Sequence, residues 1–159
     1  MGFVMKDSLP IEIDLSRIED VPFEDKKEIW NEYLLSDESK IRLKVVVTKF
    51  LKTPEIDPLT NCPQYIIASK NIVSVTSSKR GKPTPPQDLK EIPDEKKVEV
   101  EVSEIVKEDW NEYIIEDKYI CRLKPVIVLV YKIKDSFDVM GYPIYFVRSQ
   151  NIVKINMKK

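Results

Sequence analysis

The chain contains no histidine. That removes the side chain most used for acid–base catalysis and for metal ligation near neutral pH. Glycine is scarce too, at three residues in 159, so a glycine-rich phosphate cradle has nothing to be built from. There are two cysteines, Cys62 and Cys121. They lack CxxC spacing and a local base, and they read as reduced, buried thiols of a cytoplasmic protein. Long apolar runs are absent: the longest, near 126–131, cannot span a bilayer. An acylation signal at Gly2 is also excluded, because Lys6 stands where that signal needs Ser or Thr. No excess of one charge exists either. The 26 basic and 27 acidic residues nearly cancel, leaving no overall field to gather nucleic acid or an anionic membrane surface. No spacing suggests zinc or an EF-hand loop, and no cofactor is implied.

What the chain does have is β-branched residues. Nineteen Ile and 17 Val stand against 10 Leu and one Ala, a choice that suits pleated sheets and penalises helices. It also has a repeat. Trp30-Asn31-Glu32-Tyr33 recurs as Trp110-Asn111-Glu112-Tyr113, and the same offset of 80 matches Arg42-Leu43-Lys44 with Arg122-Leu123-Lys124. It further matches Tyr65 with Tyr145, Ser69 with Ser149, and Asn71-Ile72-Val73 with Asn151-Ile152-Val153. Agreement at one fixed spacing predicts two copies of one unit. The expected organisation is a first unit over 1–75, a proline-rich linker over 76–97 and a second unit over 98–159. Each unit alone is short of core, so the two are expected to share one.

Within each copy the alternation predicts four strands. Ile11-Glu12-Ile13-Asp14-Leu15 alternates strictly, and its counterpart at an offset of 87 is Val98-Glu99-Val100-Glu101-Val102. The difference between 87 and 80 leaves about seven extra residues at 21–27, expected as a surface loop or one helical turn. A hairpin follows, with Ile29, Asn31, Tyr33, Leu35, Ile41, Leu43, Val45 and Val47 on the core face, matched in the second copy by Tyr113, Leu123, Pro125 and Ile127. A three-residue loop at Asp37-Glu38-Ser39 would put Glu32 opposite Lys44 and Trp30 opposite Val46, and Glu112 opposite Lys124 and Trp110 opposite Val126. Pro125 demands an edge or a bulge. The last strand of each copy is interrupted at Ser69-Lys70-Asn71 and Ser149-Gln150-Asn151, which suggests a bulge there. The fold class is therefore all-β and internally duplicated, closing as a pseudo-twofold barrel or a two-sheet sandwich.

Three functions compete. The leading reading is a non-enzymatic cytoplasmic binding or scaffold protein with a protein partner and no membrane association. The second is a nucleic-acid-binding β-domain. Its candidate residues are Trp30, Glu32, Arg42 and Lys44 with their repeats Trp110, Glu112, Arg122 and Lys124, since aromatic faces beside cations are what single-strand binders use. The third makes Glu32 and Glu112 an acid–base pair across the pseudo-dyad. Against it, each glutamate also suits a plain cross-strand ion pair. Asp57 and Asp138 read as turn aspartates.

Overall fold

Runs of Val and Ile spaced by polar residues commit most of the chain to strands, and the computed structural model, which describes residues 14–159, is all-β. Ten strands occur among the described residues: β1 (Glu19–Val21), β2 (Phe23–Lys27), β3 (Trp30–Leu35), β4 (Lys40–Ile56), β5 (Pro63–Thr76), β6 (Lys97–Val100), β7 (Val102–Lys107), β8 (Asn111–Ile115), β9 (Tyr119–Phe137) and β10 (Pro143–Met157). They form two five-stranded antiparallel sheets, neither of which closes on itself. In the first, the long β4 pairs with β5 along one edge. Its other edge pairs with β3 and then β1, and β7 lies outside β3. The second repeats this order: β9 pairs with β10 on one edge and with β8 and β6 on the other, and β2 lies outside β8.

β2 and β7 have therefore traded sheets. β2 precedes β3 in the chain yet pairs with β8, while β7 precedes β8 yet pairs with β3. The crossings fall at Pro22 and Glu101. Proline cannot donate to a ladder, and the Pro22 carbonyl accepts from the Glu116 N–H at 3.0 Å, just as the Glu101 carbonyl accepts from Ser36 N–H at 2.8 Å.

These crossings correct the expected strand plan. Residues 23–27 are a strand, not a loop or a helical turn. Their run of four charges hides the pattern, because an edge strand exposes most of its side chains. Of the strand expected at 11–15, residues 11–13 lie outside the described residues, and Leu15 belongs to a 3-10 turn, Leu15–Arg17. Glu19–Val21 instead pairs on β4 as Val98–Val100 pairs on β9. The offset there is 79, and no insertion is needed.

The hairpin register is even, with the apolar faces matched, but displaced by two residues. Trp30 faces Lys44 and Glu32 faces Arg42; Glu112 likewise faces Arg122, not Lys124. The second hairpin keeps this register with Tyr119 in the place of Ser39, and in the first the Asp37 carboxylate accepts from the Ser39 N–H (3.0 Å) and its hydroxyl beside the Leu35–Ser39 pair. The loop is then Ser36-Asp37-Glu38, closed by left-handed Glu38 at φ 71°. The expected irregularities do lie at Ser69 and Ser149, but the extra residues, Thr48 and Val128, sit on the facing strands.

Most of the expected core face is buried: Asn31, Tyr33, Leu35, Ile41, Leu43, Val45 and Val47 are all below a tenth exposed, as are Tyr113 and Leu123, while Ile29 and Ile127 are only half-buried. Two apolar clusters result, and each takes side chains from both sheets. One joins Val45, Phe50, Tyr65 and Ile67 to Tyr113, Ile115, Cys121 and Leu123. The other joins Tyr33, Leu35, Ile41 and Leu43 to Val100 and Val130. At about 1.5–3 kcal/mol for each fully buried side chain, this mixing holds the sheets together. Pro125 lies where β9 has β10 on one side and neither β8 nor β6 on the other, so its missing N–H is tolerated.

Residues 76–97 do more than link. The Gly81 N–H donates to the Gly141 carbonyl at 2.7 Å, and Thr84 and Phe137 exchange hydrogen bonds of 3.0–3.1 Å. Ile92 is buried. The segment is docked on the β9–β10 hairpin.

Candidate functional site

The outward faces of the two sheets carry the residues singled out by the repeat. On the first, half-buried Trp30 holds the Arg42 guanidinium 4.4 Å from its ring centroid and the Lys44 ammonium at 5.7 Å. Glu32 is 3.4 Å from Lys40 and 3.9 Å from Arg42. On the second, Trp110 lies under Lys124 (5.0 Å) and Lys154 (5.7 Å), and Glu112 is 3.8 Å from Arg122. Each group of four is thus gathered by its own sheet. Among the described residues, no ion pair, hydrogen bond or aromatic contact joins one group to the other, so Glu32 and Glu112 do not form a pair. The third reading receives no support from these contacts.

Lys40 and Lys154 were missed in the sequence. Lys154 was accessible to it: β10 runs beside β9, and Lys154 pairs opposite Arg122.

A second set of polar residues lies between the two sheets, and its members bond from the first half of the chain to the second. The Tyr33 hydroxyl donates to Glu108 at 2.7 Å, and the Tyr113 hydroxyl donates to Glu28 at 2.7 Å. Asn31 Oδ1 accepts from the Asp109 N–H at 3.1 Å, and Asn111 Oδ1 accepts from the Ile29 N–H at 3.0 Å. Tyr65 donates to Glu116 at 3.0 Å and Tyr145 to Asp37 at 2.6 Å. Asn71 and Asn151 exchange amide hydrogen bonds of 3.0 Å each. The signal for Glu28 and Glu108 was present, since each stands two residues before its tryptophan at the common offset of 80.

The electrostatics of this seam suit holding, not reacting. Burial, then the neighbouring carboxylate, pushes the hydroxyls of Tyr33, Tyr65, Tyr113 and Tyr145 above the usual tyrosine range. They therefore remain donors. Burial opposes ionisation of Asp37, but hydrogen bonds from Ser39 and Tyr145 outweigh it and hold the carboxyl below its usual value. Both cysteines are free and buried, and burial pushes the Cys121 thiol up to about 12. A thiol so placed is no nucleophile. No helix among the described residues is long and apolar enough to cross a membrane.

No protein-family model, curated protein or solved structure matches the chain.

Proposed function

We propose that this chain is a non-enzymatic, cytoplasmic β-rich binding or scaffold protein that engages a protein partner. In this reading it consists of two copies of one unit, 1–75 and 98–159, related by an approximate twofold axis and packed as a two-sheet sandwich. The observation that carries it is the reciprocal seam. Tyr33, Tyr113, Glu28, Glu108, Asn31 and Asn111 are each bonded to the other repeat, so the side chains best suited to chemistry are committed to structure. The tryptophan–cation faces remain as recognition surfaces. The free cysteines and balanced charge suit a reducing, crowded compartment.

The test compares tagged wild type with a variant carrying Trp30→Ala and Trp110→Ala, each immobilised in cell extract. A protein retained by the wild type and lost from the variant is expected. Identical retention by both would remove the faces from the proposal.

The seating of two cations over each indole favours a second reading, in which the faces stack and neutralise single-stranded nucleic acid. It requires tryptophan quenching by mixed-sequence single strands at low salt, weakened as salt rises. The scaffold reading expects no quenching, because the protein's own cations already cover the rings.

A further inference from the structure

A cavity of about 580 Å³ opens beside the far end of β9, away from the tryptophan faces. Val98, Ile133, Phe137 and Pro143 give it an apolar lining, and Lys79, Arg80, Lys132 and Lys134 line it as cations. One carboxylate, Asp135, also lines it.

Two of the cations are held in place. The Arg80 guanidinium donates to the Met140 carbonyl, with Nε at 3.2 Å, and stacks 4.9 Å from the Tyr142 ring centroid. Lys132 lies 3.7 Å from Asp37 and 5.9 Å from the Tyr145 ring centroid. Lys79 and Lys134 have no carboxylate within ion-pair distance among the described residues. The arrangement belongs to one repeat only. At the offset of 80, β4 has Thr53 and Pro54 where β9 has Ile133 and Lys134, and Glu19 pairs there as Val98 pairs on β9. The docked segment supplies Lys79 and Arg80, which the repeat itself lacks.

We infer that this cavity binds a small amphipathic anion, one with an apolar body of one or two rings or a short alkyl chain and a carboxylate or phosphate head. The volume falls within the range of small-molecule sites, roughly 300–1,000 Å³, and those sites pair apolar walls with a few placed polar groups. Cations set beside apolar walls attract an anion more strongly than the same charges in open water. This site goes beyond the proposed partner surface and does not depend on it.

The test is a fluorescence titration of the full chain with anilinonaphthalene sulfonate, an apolar two-ring anion, followed by competition with octanoate and with naphthyl phosphate. Saturable binding at one site is expected, weakening as salt is added. The better competitor identifies the head group. Lys134→Glu, at an exposed position, should weaken binding at least about tenfold, and Val98→Trp, which fills the cavity, should abolish it; near-UV circular dichroism verifies that each variant is folded. Should Val98→Trp not fold, the charge reversal decides alone. No saturable enhancement with the folded wild type, or an unchanged titration with folded Lys134→Glu, overturns the inference.

Discussion

The two apolar clusters occupy matching places on matching ladders, but they are built to different standards. In one, Phe50 packs edge-to-face against Phe23 (4.9 Å between centroids), Tyr113 (5.6 Å) and Tyr65 (6.3 Å). In the other, Val130 holds the place of Phe50 and Val102 that of Phe23. The polar groups differ in the same sense. Asn111 Nδ2 donates to the Val45 carbonyl and to the Tyr113 hydroxyl, at 3.0 and 3.1 Å, while buried Asn31 Nδ2 has no partner. Position 125 explains part of this. Proline stands on β9 where β4 has Val45, and its carbonyl lies 3.5 Å from the Tyr33 hydroxyl. One ladder thus supports two levels of packing. Backbone pairing sets the architecture, and side-chain fit decides how firmly each end is held.

The sharpest way to break this comparison is to truncate the pair at its centre. Phe50→Ala should cost roughly 3–5 kcal/mol and Val130→Ala distinctly less, in urea unfolding followed by tryptophan fluorescence. Equal losses would show that the aromatic cluster carries no extra weight. Leu43→Ala and Leu123→Ala, both fully buried, should each cost about 2–5 kcal/mol by the same assay, with Leu123 the larger because rings surround it.

The hairpin tips sharpen the contrast. Gly141 adopts φ 83°, and a Cβ there would lie 2.6 Å from the Gly81 carbonyl oxygen. Gly141→Ala should lose about 1–3 kcal/mol and expose 76–97 to limited proteolysis. Asn61, at φ 61° in the other tip, should accept glycine within about 0.5 kcal/mol. Uncut Gly141→Ala would show that the segment is held by other contacts.

A smaller difference separates the asparagines. Both accept a buried N–H, so both alanine variants destabilise; Asn111→Ala should exceed Asn31→Ala by about 1 kcal/mol, the worth of the extra amide bonds. Reversal of that order would place an unseen partner on Asn31. The smallest effect is on pH dependence. Tyr33, Tyr65 and Tyr113 have folded-state values raised above the unfolded one, so stability is complete below about pH 10 and falls as pH rises through and beyond it. Tyr113→Phe should flatten that alkaline loss in urea midpoints more than Tyr145→Phe does, since Tyr113 is the more deeply buried of the two.

How much of this was legible in the sequence follows from what each feature depends on. The sheet class and the inward face of β3 and β4 come from β-branching and period-two alternation, which are local. Both hairpins share one register, and hydrophobic matching alone cannot tell it from another shifted by two residues. The identity of β2 was hidden because its partner, β8, lies far along the chain and its residues 24–27 are all charged. Trp30, Arg42 and Lys44 meet because they lie on two strands of one hairpin, a proximity that chain order already contains. Lys154 was missed because its strand was not laid beside β9, and the cavity was missed because Lys79 and Arg80 come from a segment read as a spacer.

The traded strands impose an order of events on synthesis. β2 leaves the ribosome long before its partner: Lys27 and Asp109, bonded at 2.5 Å, stand 82 residues apart, and Asp37 and Tyr145 stand 108 apart. Until β7 is made, β3 has an unpaired edge, and until β8 is made, β2 has nothing to pair with. The entropy of closing such long loops must be met before native contacts return it, which makes folding slow and late. Before the second half is made, the first therefore lacks the strand that covers β3, and an uncovered edge of that kind is where pairing with another chain starts.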